Sequence, residues 1–152
     1  MKSTDQFHVG IVVDDIAAAA AELSTVFGYQ WCEELGAAAQ VSLPGGDTVL
    51  DLTSVYSMST PRLELVQSIP GTLWEPATGS GVHHLGYWSD DVAADSAELT
   101  RHGYAVEALG RRPDHTPYWA FHRSTTGPRI ELVTRTLQAV LEQYWATGRK
   151  PS

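Results

Sequence analysis

His8-Val9-Gly10-Ile11-Val12-Val13-Asp14-Asp15 recurs later in the chain as His84-Leu85-Gly86-Tyr87-Trp88-Ser89-Asp90-Asp91. Each copy opens with a largely apolar run that reads as a strand, and the Asp pair that follows offers an N-cap to a helix. A second match pairs Pro61-Arg62-Leu63-Glu64-Leu65-Val66 with Pro128-Arg129-Ile130-Glu131-Leu132-Val133. The two matches lie at different offsets, so the loops between them differ in length. The chain is thus read as two copies of one module about a pseudo-two-fold axis, each supplying one His and one Glu.

Ile16, Ala20, Leu23 and Phe27 recur at helical spacing, with Gly28 as the stop. The same grammar returns where Asp91 precedes a helix over 92–102 that Gly103 ends. Strands are expected at about 30–34, 40–43 and 63–67, then at 106–109, 118–122 and 129–134, with turns at Gly45-Gly46-Asp47 and Thr126-Gly127-Pro128. Each half is therefore β-α-β-β-β, and the class is α+β. All 152 residues are read as a single domain with repeats at about 7–67 and 83–134, joined by a linker at 68–82 rich in Gly, Pro, Ser and Thr. A C-terminal helix is expected over 136–147, with Leu137, Val140, Leu141, Tyr144 and Trp145 on one face that caps the core or a partner subunit.

Strand alternation sorts the faces. Val9, Ile11 and Val13 point towards the helix, whereas His8, Gly10 and Val12 point away from it. In the copy, Leu85 and Tyr87 oppose His84, Gly86 and Trp88. Leu63 and Leu65 likewise oppose Glu64, and Ile130 and Leu132 oppose Glu131. His8, Glu64, His84 and Glu131 thus fall on faces the helices leave free, where the pseudo-two-fold can bring them together. A single His or Glu in a strand reads as an ordinary polar position; four in duplicated register point to one divalent metal ion, with Zn, Ni, Co, Mn and Fe all suited to two imidazoles and two carboxylates.

Other residues are weighed against that centre. His83 aligns with Phe7 rather than His8 and reads as a hydrogen-bonding or packing residue. Trp88, Tyr118 and Trp119 are candidates for an aromatic wall of a substrate pocket, and core filling explains any one of them equally well. His122, on a late strand, either reaches the substrate or lies at the surface. Glu33 and Glu34 read as a solvated pair, and Arg111 and Arg112 as solvated or as a handle for an anionic group. Cys32 is read as packed, His102 as closing a helix and His115 as a loop residue.

Ten Lys and Arg against 18 Asp and Glu give a formal charge of −8, which repels a phosphate backbone and excludes sequence-independent nucleic-acid binding. No run approaches the roughly 20 apolar residues of a membrane span. A polar start at Met1–Gln6 and one cysteine lead to an expected reducing, cytoplasmic setting.

The duplicated β-α-β-β-β pattern, with His in the first strand of each half and Glu in the last, resembles the vicinal oxygen chelate superfamily of glyoxalase I, methylmalonyl-CoA epimerase, extradiol dioxygenases and bleomycin-resistance proteins. The resemblance covers about residues 7–134. HVGIVVDD and HHLGYWSDD look most like the epimerase branch, while Glu64, where those epimerases usually carry Gln, is closer to bacterial glyoxalase I. It implies sheets curled into a cup around one metal held by His8, Glu64, His84 and Glu131, a small-molecule substrate and a homodimer. The implied activity is proton transfer (isomerisation, epimerisation or lyase chemistry) through an enolate of a small oxo or acyl-thioester substrate. Glu131 is the expected base and Glu64 its counterpart, and the resemblance alone implies an outer acid or base role for Glu33 or Glu34. The alternatives are a metal-independent binding or resistance protein and, less favoured because Glu64 takes a position oxygen or catechol needs, an extradiol dioxygenase.

Overall fold

The computed structural model describes residues 1–151. Its elements run β1 (Gln6–Val13), α1 (Ile16–Phe27), β2 (Leu35–Leu43), β3 (Gly46–Tyr56), β4 (Leu63–Gln67), β5 (His84–Ser89), α2 (Val92–Arg101), β6 (Ala105–Arg111), β7 (Pro117–Arg123), β8 (Arg129–Thr134) and α3 (Gln138–Thr147), with short 3-10 turns at Ser3–Asp5 and Arg135–Leu137. The Asp caps act as the sequence implies. Asp15 accepts from the Ala18 amide at 2.9 Å and Asp91 from the Ala94 amide at 3.0 Å, which satisfies an otherwise orphan donor at each helix start. Gly28, in the left-handed conformation at φ 74°, ends α1.

The eight strands close a barrel in the order β1-β4-β3-β2-β6-β7-β8-β5. Each half contributes four consecutive staves, and the halves meet at two antiparallel seams, β1 with β5 and β2 with β6. Helices pack outside. Ile16 of α1 covers Leu65 and Val55 with Ile11 and Val13 beside them, and Val92 and Leu99 of α2 cover Ala120 and Leu132. The barrel interior holds Val12, Val66, Trp88, Phe121 and Val133, so the alternation read from the sequence is the one found.

Two sequence expectations are corrected. No strand occupies 30–34, where Trp31 makes only an isolated bridge to Ser57. Instead β2 and β3 form one long hairpin, paired from Leu35↔Ser54 to Leu43↔Gly46 around Pro44 and Gly45. The run Ala37-Ala38-Ala39 has weak strand preference, and pairing with Leu52, Asp51 and Leu50 of β3 imposes the conformation. On α3, Tyr144 and Trp145 are buried as expected, but Val140 faces solvent. Trp145 packs near Phe7, Tyr56 and Trp88, so the helix caps its own barrel.

The β1–β5 seam is shaped by two glycines. Gly10 pairs with His84 and Gly86 with His8, and each imidazole lies over the glycine opposite it. A Cβ on Gly10 would stand 1.9 Å from the His84 ring, and one on Gly86 1.9 Å from the His8 ring. Gly10→Ala is therefore expected to destabilise the fold by about 1–3 kcal/mol, the usual cost of forcing atoms into a filled core. Gly36→Ala, whose Cβ meets nothing nearer than 3.6 Å, should be close to neutral. Thermal denaturation of both checks this, and a Gly10→Ala protein as stable as the parent would contradict it.

Candidate metal centre

Two rows of the sheet build the centre. In one, Gly10 of β1 lies between Glu64 of β4 and His84 of β5; in the other, Gly86 of β5 lies between His8 of β1 and Glu131 of β8. Each bare glycine lets an imidazole lean across it towards the carboxylate beyond. His84 Nε2 reaches 3.1 Å from Glu64 Oε2 and His8 Nε2 3.1 Å from Glu131 Oε2, with cross distances of 3.3 Å (His8–Glu64) and 3.5 Å (His84–Glu131). The two Nε2 atoms are 3.0 Å apart. All four residues are buried and offer donor atoms within 4.8 Å of one another.

The spacing suits a cation. Bonds of about 2.1 Å to a common ion place neighbouring donors about 3.0 Å apart at a right angle and about 3.4 Å apart at a tetrahedral angle, and the His–His and His–Glu separations are of this size. Without one, two buried carboxylates have only imidazole protons to balance them. Burial opposes a charge on His8, yet its bonds to Glu131 and Glu64 outweigh that and push its pKa up to about 9. Burial likewise favours neutral Glu64, but His8 and His84 hold its carboxyl far below the usual range.

His83 determines which nitrogen His84 presents. The Leu73 carbonyl, 2.6 Å from His83 Nε2, can only accept, so that nitrogen carries the hydrogen. Burial keeps His83 neutral, its pKa lowered to about 4. His83 Nδ1 is therefore an acceptor and takes the hydrogen of His84 Nδ1 at 3.0 Å. This leaves a lone pair on His84 Nε2, facing Glu64 Oε2. With His84 neutral these are two acceptors 3.1 Å apart, a pair spaced to share a cation, the role a divalent ion would fill. The first half has no such relay, because Phe7 stands where His83 does and His8 Nδ1 has no hydrogen-bond partner.

The carboxylates also differ. Tyr56 pairs with Glu64 across β3 and β4, while Phe121 occupies the matching place beside Glu131 on β7 and β8. Burial first, then the nearby Glu64 and Glu131 charges, hold the Tyr56 phenol protonated far above its usual range. Glu131 has Phe121 in place of a hydroxyl across the pair, and its Oε2 meets only the two imidazoles, His8 Nε2 at 3.1 Å and His84 Nε2 at 3.5 Å.

The other sequence candidates separate. Tyr118 and Trp119 line a cavity of about 490 Å³ that also exposes Tyr56, Glu64, Trp74 and Glu131. Trp88 faces inward, but it stacks on Phe7 at 3.8 Å between ring centroids, away from that cavity. His122 neither reaches the cavity nor lies at the surface: it is buried beneath α2 and shares a 2.9 Å hydrogen bond with Ser96 Oγ. Glu33 and Glu34 are exposed, with the Glu33 carboxylate accepting from the Lys150 amide. Arg111 binds Ser42 and the His115 carbonyl, and Arg112 binds Thr136 beside the Tyr118 ring. Cys32 is buried against the Tyr144 carbonyl. Tyr56 and Trp74 went unread as functional residues. Tyr56 lies in the strand that went unrecognised, and the only signal for Trp74 was a large aromatic in a polar linker, a residue type seldom left fully in water.

A closed barrel of two β-α-β-β-β halves with a His, Glu, His, Glu cluster at the seam defines the class. Residues 7–121 match the Glyoxalase/Bleomycin resistance protein/Dioxygenase superfamily, and the chain belongs to it. No curated protein matches the sequence. Among solved structures, the chain is similar to a methylmalonyl-CoA epimerase in complex with methylmalonyl-CoA and ammonium, at 20% identity and TM-score 0.58 over 86% of this chain and 93% of that one. A variant of the Streptomyces coelicolor methylmalonyl-CoA epimerase in complex with 2-nitronate-propionyl-CoA gives the same values. The methylmalonyl-CoA epimerase from Mycobacterium tuberculosis matches at 17% identity and TM-score 0.53, over 91% of this chain and 96% of that one. At these identities the likeness is one of fold. No described helix is long and apolar enough to cross a membrane.

The relay predicts that, in metal-free protein, ¹⁵N-detected imidazole spectra show His84 protonated on Nδ1 and His83 on Nε2. His83→Phe, which gives the second half the side chain of the first, should lower Zn affinity about 10–100-fold, as loss of an orienting partner does elsewhere. A proton found on His84 Nε2 instead would contradict the relay.

Proposed function

We propose that this protein is a metal-dependent enzyme of the glyoxalase and epimerase type, which moves a proton on a small oxo or acyl-thioester substrate through an enolate. The observation that carries this reading is the convergence of four buried donors from both halves on one point, beside a cavity large enough for a small molecule. His8, Glu64, His84 and Glu131 would hold one divalent ion, of the Zn, Ni, Co, Mn or Fe series. A bound ion supplies a Lewis acid that stabilises negative charge developing on a substrate oxygen and so acidifies the adjacent C–H.

The chain's own residues then divide the work. Glu131 is the base: it faces Phe121 rather than a hydroxyl, its Oε2 meets only the two imidazoles, and it borders the cavity. Glu64, 3.1 Å from His84 Nε2 and paired with Tyr56 across β3 and β4, stays in place. The Tyr56 phenol, kept protonated, is a hydrogen donor at the cavity wall. Glu131 takes the proton and returns it, to the same carbon or its neighbour according to how the substrate lies. Closure of the barrel within one chain completes the cluster without a second copy, so the homodimer implied by the family is a matter of assembly rather than of site construction. The epimerase names of the structural neighbours support proton transfer over oxygenase chemistry.

The test is Glu131→Gln. Proton exchange of a turned-over substrate in deuterated water should fall by about 10²–10⁴-fold, the usual contribution of a positioned base, while metal content by plasma mass spectrometry stays near that of the parent. Full exchange activity would remove Glu131 from the mechanism. Protein that takes up none of the five metals would move the function to ligand binding.

A further inference from the structure

The cavity beside the centre has a pronounced chemical character. Trp74, Trp119 and Phe121 stand edge to face with one another, with ring centroids 5.6–6.0 Å apart and interplanar angles of 75–90°. Phe121 continues the array onto the His84 imidazole, 5.0 Å away at 85°. Two segments supply these rings: Trp74 comes from the stretch joining the halves, and Trp119 and Phe121 come from β7. Trp119 is held by Gly110, its partner on β6, where a Cβ would stand 2.0 Å from the indole. Opposite, Ala37 and Ala39 of β2 keep the cavity open. Among the described residues the charged groups of the lining are Glu64, Glu131 and Lys150, and the two carboxylates belong to the centre.

We infer that the substrate is a compact vicinal oxo compound whose carbon bearing the labile proton carries an aromatic or bulky apolar group, seated against Trp74, Trp119 and Phe121. This deepens the proposed function and rests on it. A free carboxylate at that carbon, as in a methylmalonyl group, would be set beside Glu64 and Glu131 and against an apolar wall, with Lys150 the only cation among the described lining residues to meet it. An aromatic ring there completes the edge-to-face array and leaves no polar group unpaired. In an arylpyruvate the two vicinal oxygens lie at one end and the benzylic C–H lies between them and the ring. That places the labile proton between Glu131 and the aromatic wall.

Calorimetric titration of Zn-loaded protein with phenylpyruvate, 2-oxobutyrate and 2-oxoglutarate tests this. These share the vicinal oxygens and differ in carrying phenyl, methyl or carboxymethyl on the adjacent carbon. Phenylpyruvate should bind at least tenfold more tightly than either of the others, and Trp119→Leu should erase that preference. Equal binding of all three, or preference for 2-oxoglutarate, overturns the inference with the parent protein alone. A parallel titration of metal-free protein with 3-phenylpropanol, which cannot chelate, reads the wall without the ion. Binding there by a protein that takes up no metal would refute the proposed function and keep the aromatic preference; metal uptake with no preference for phenyl compounds would do the reverse.

Discussion

Two imidazoles crossing over two glycines hold this molecule's halves together and make its centre. Any side chain on Gly10 or Gly86 would occupy the volume of the opposing His ring, so the β1–β5 seam could no longer close at its present register. The same contact that joins the halves brings His8 and His84 to 3.0 Å and aims both at the carboxylates of the outer strands. The second seam is shorter, pairing only Gln40 to Ser42 of β2 with β6. Barrel closure and site construction are thus one constraint, and the close-packed interior leaves no slack to satisfy them separately.

The pseudo-two-fold holds for the backbone and for the four donors, then fails one residue away. Phe7 and His83 occupy equivalent places, and only His83 has a carbonyl to bind, because Leu73 comes from the segment between the halves, which has no duplicate. Tyr56 and Phe121 are equivalent too, and only Tyr56 brings a hydroxyl to its carboxylate. A symmetric set of four donor side chains therefore sits in asymmetric surroundings: one His with a neighbouring imidazole to orient it, one carboxylate beside a phenol, the other beside a phenyl ring. That inequality is what the proposed proton transfer would use, one carboxylate acting as base while the other stays in place.

The connecting segment contributes more to the site than its composition suggests. It reads as a linker, yet its Leu73 carbonyl anchors His83 and its Trp74, fully buried, forms part of the cavity wall. The C-terminal segment closes the other side, with Leu137 of the 3-10 turn and Leu141 of α3 against the cavity and Tyr144 and Trp145 in the core. Both segments lie outside the duplicated modules. The duplication builds the centre, and the unduplicated parts shape what reaches it.

By itself the sequence determined the duplicated module, the capped helices and the face on which each of His8, Glu64, His84 and Glu131 lies. These follow from local rules: a period of two along strands, Asp before a helix and Gly after it. It also contained Gly10 and Gly86 in phase with the histidines, although their function as seats for the opposite imidazoles depends on strands far apart in the chain. Tertiary structure alone decided the β2–β3 hairpin, since an alanine run becomes a strand only when a partner holds it. It decided that Trp119 lines the cavity while Trp88 packs beneath α3, and that His122 bonds to Ser96 under α2. Each of those outcomes turns on which distant element covers a residue, a matter of packing between segments that no periodicity within one segment encodes.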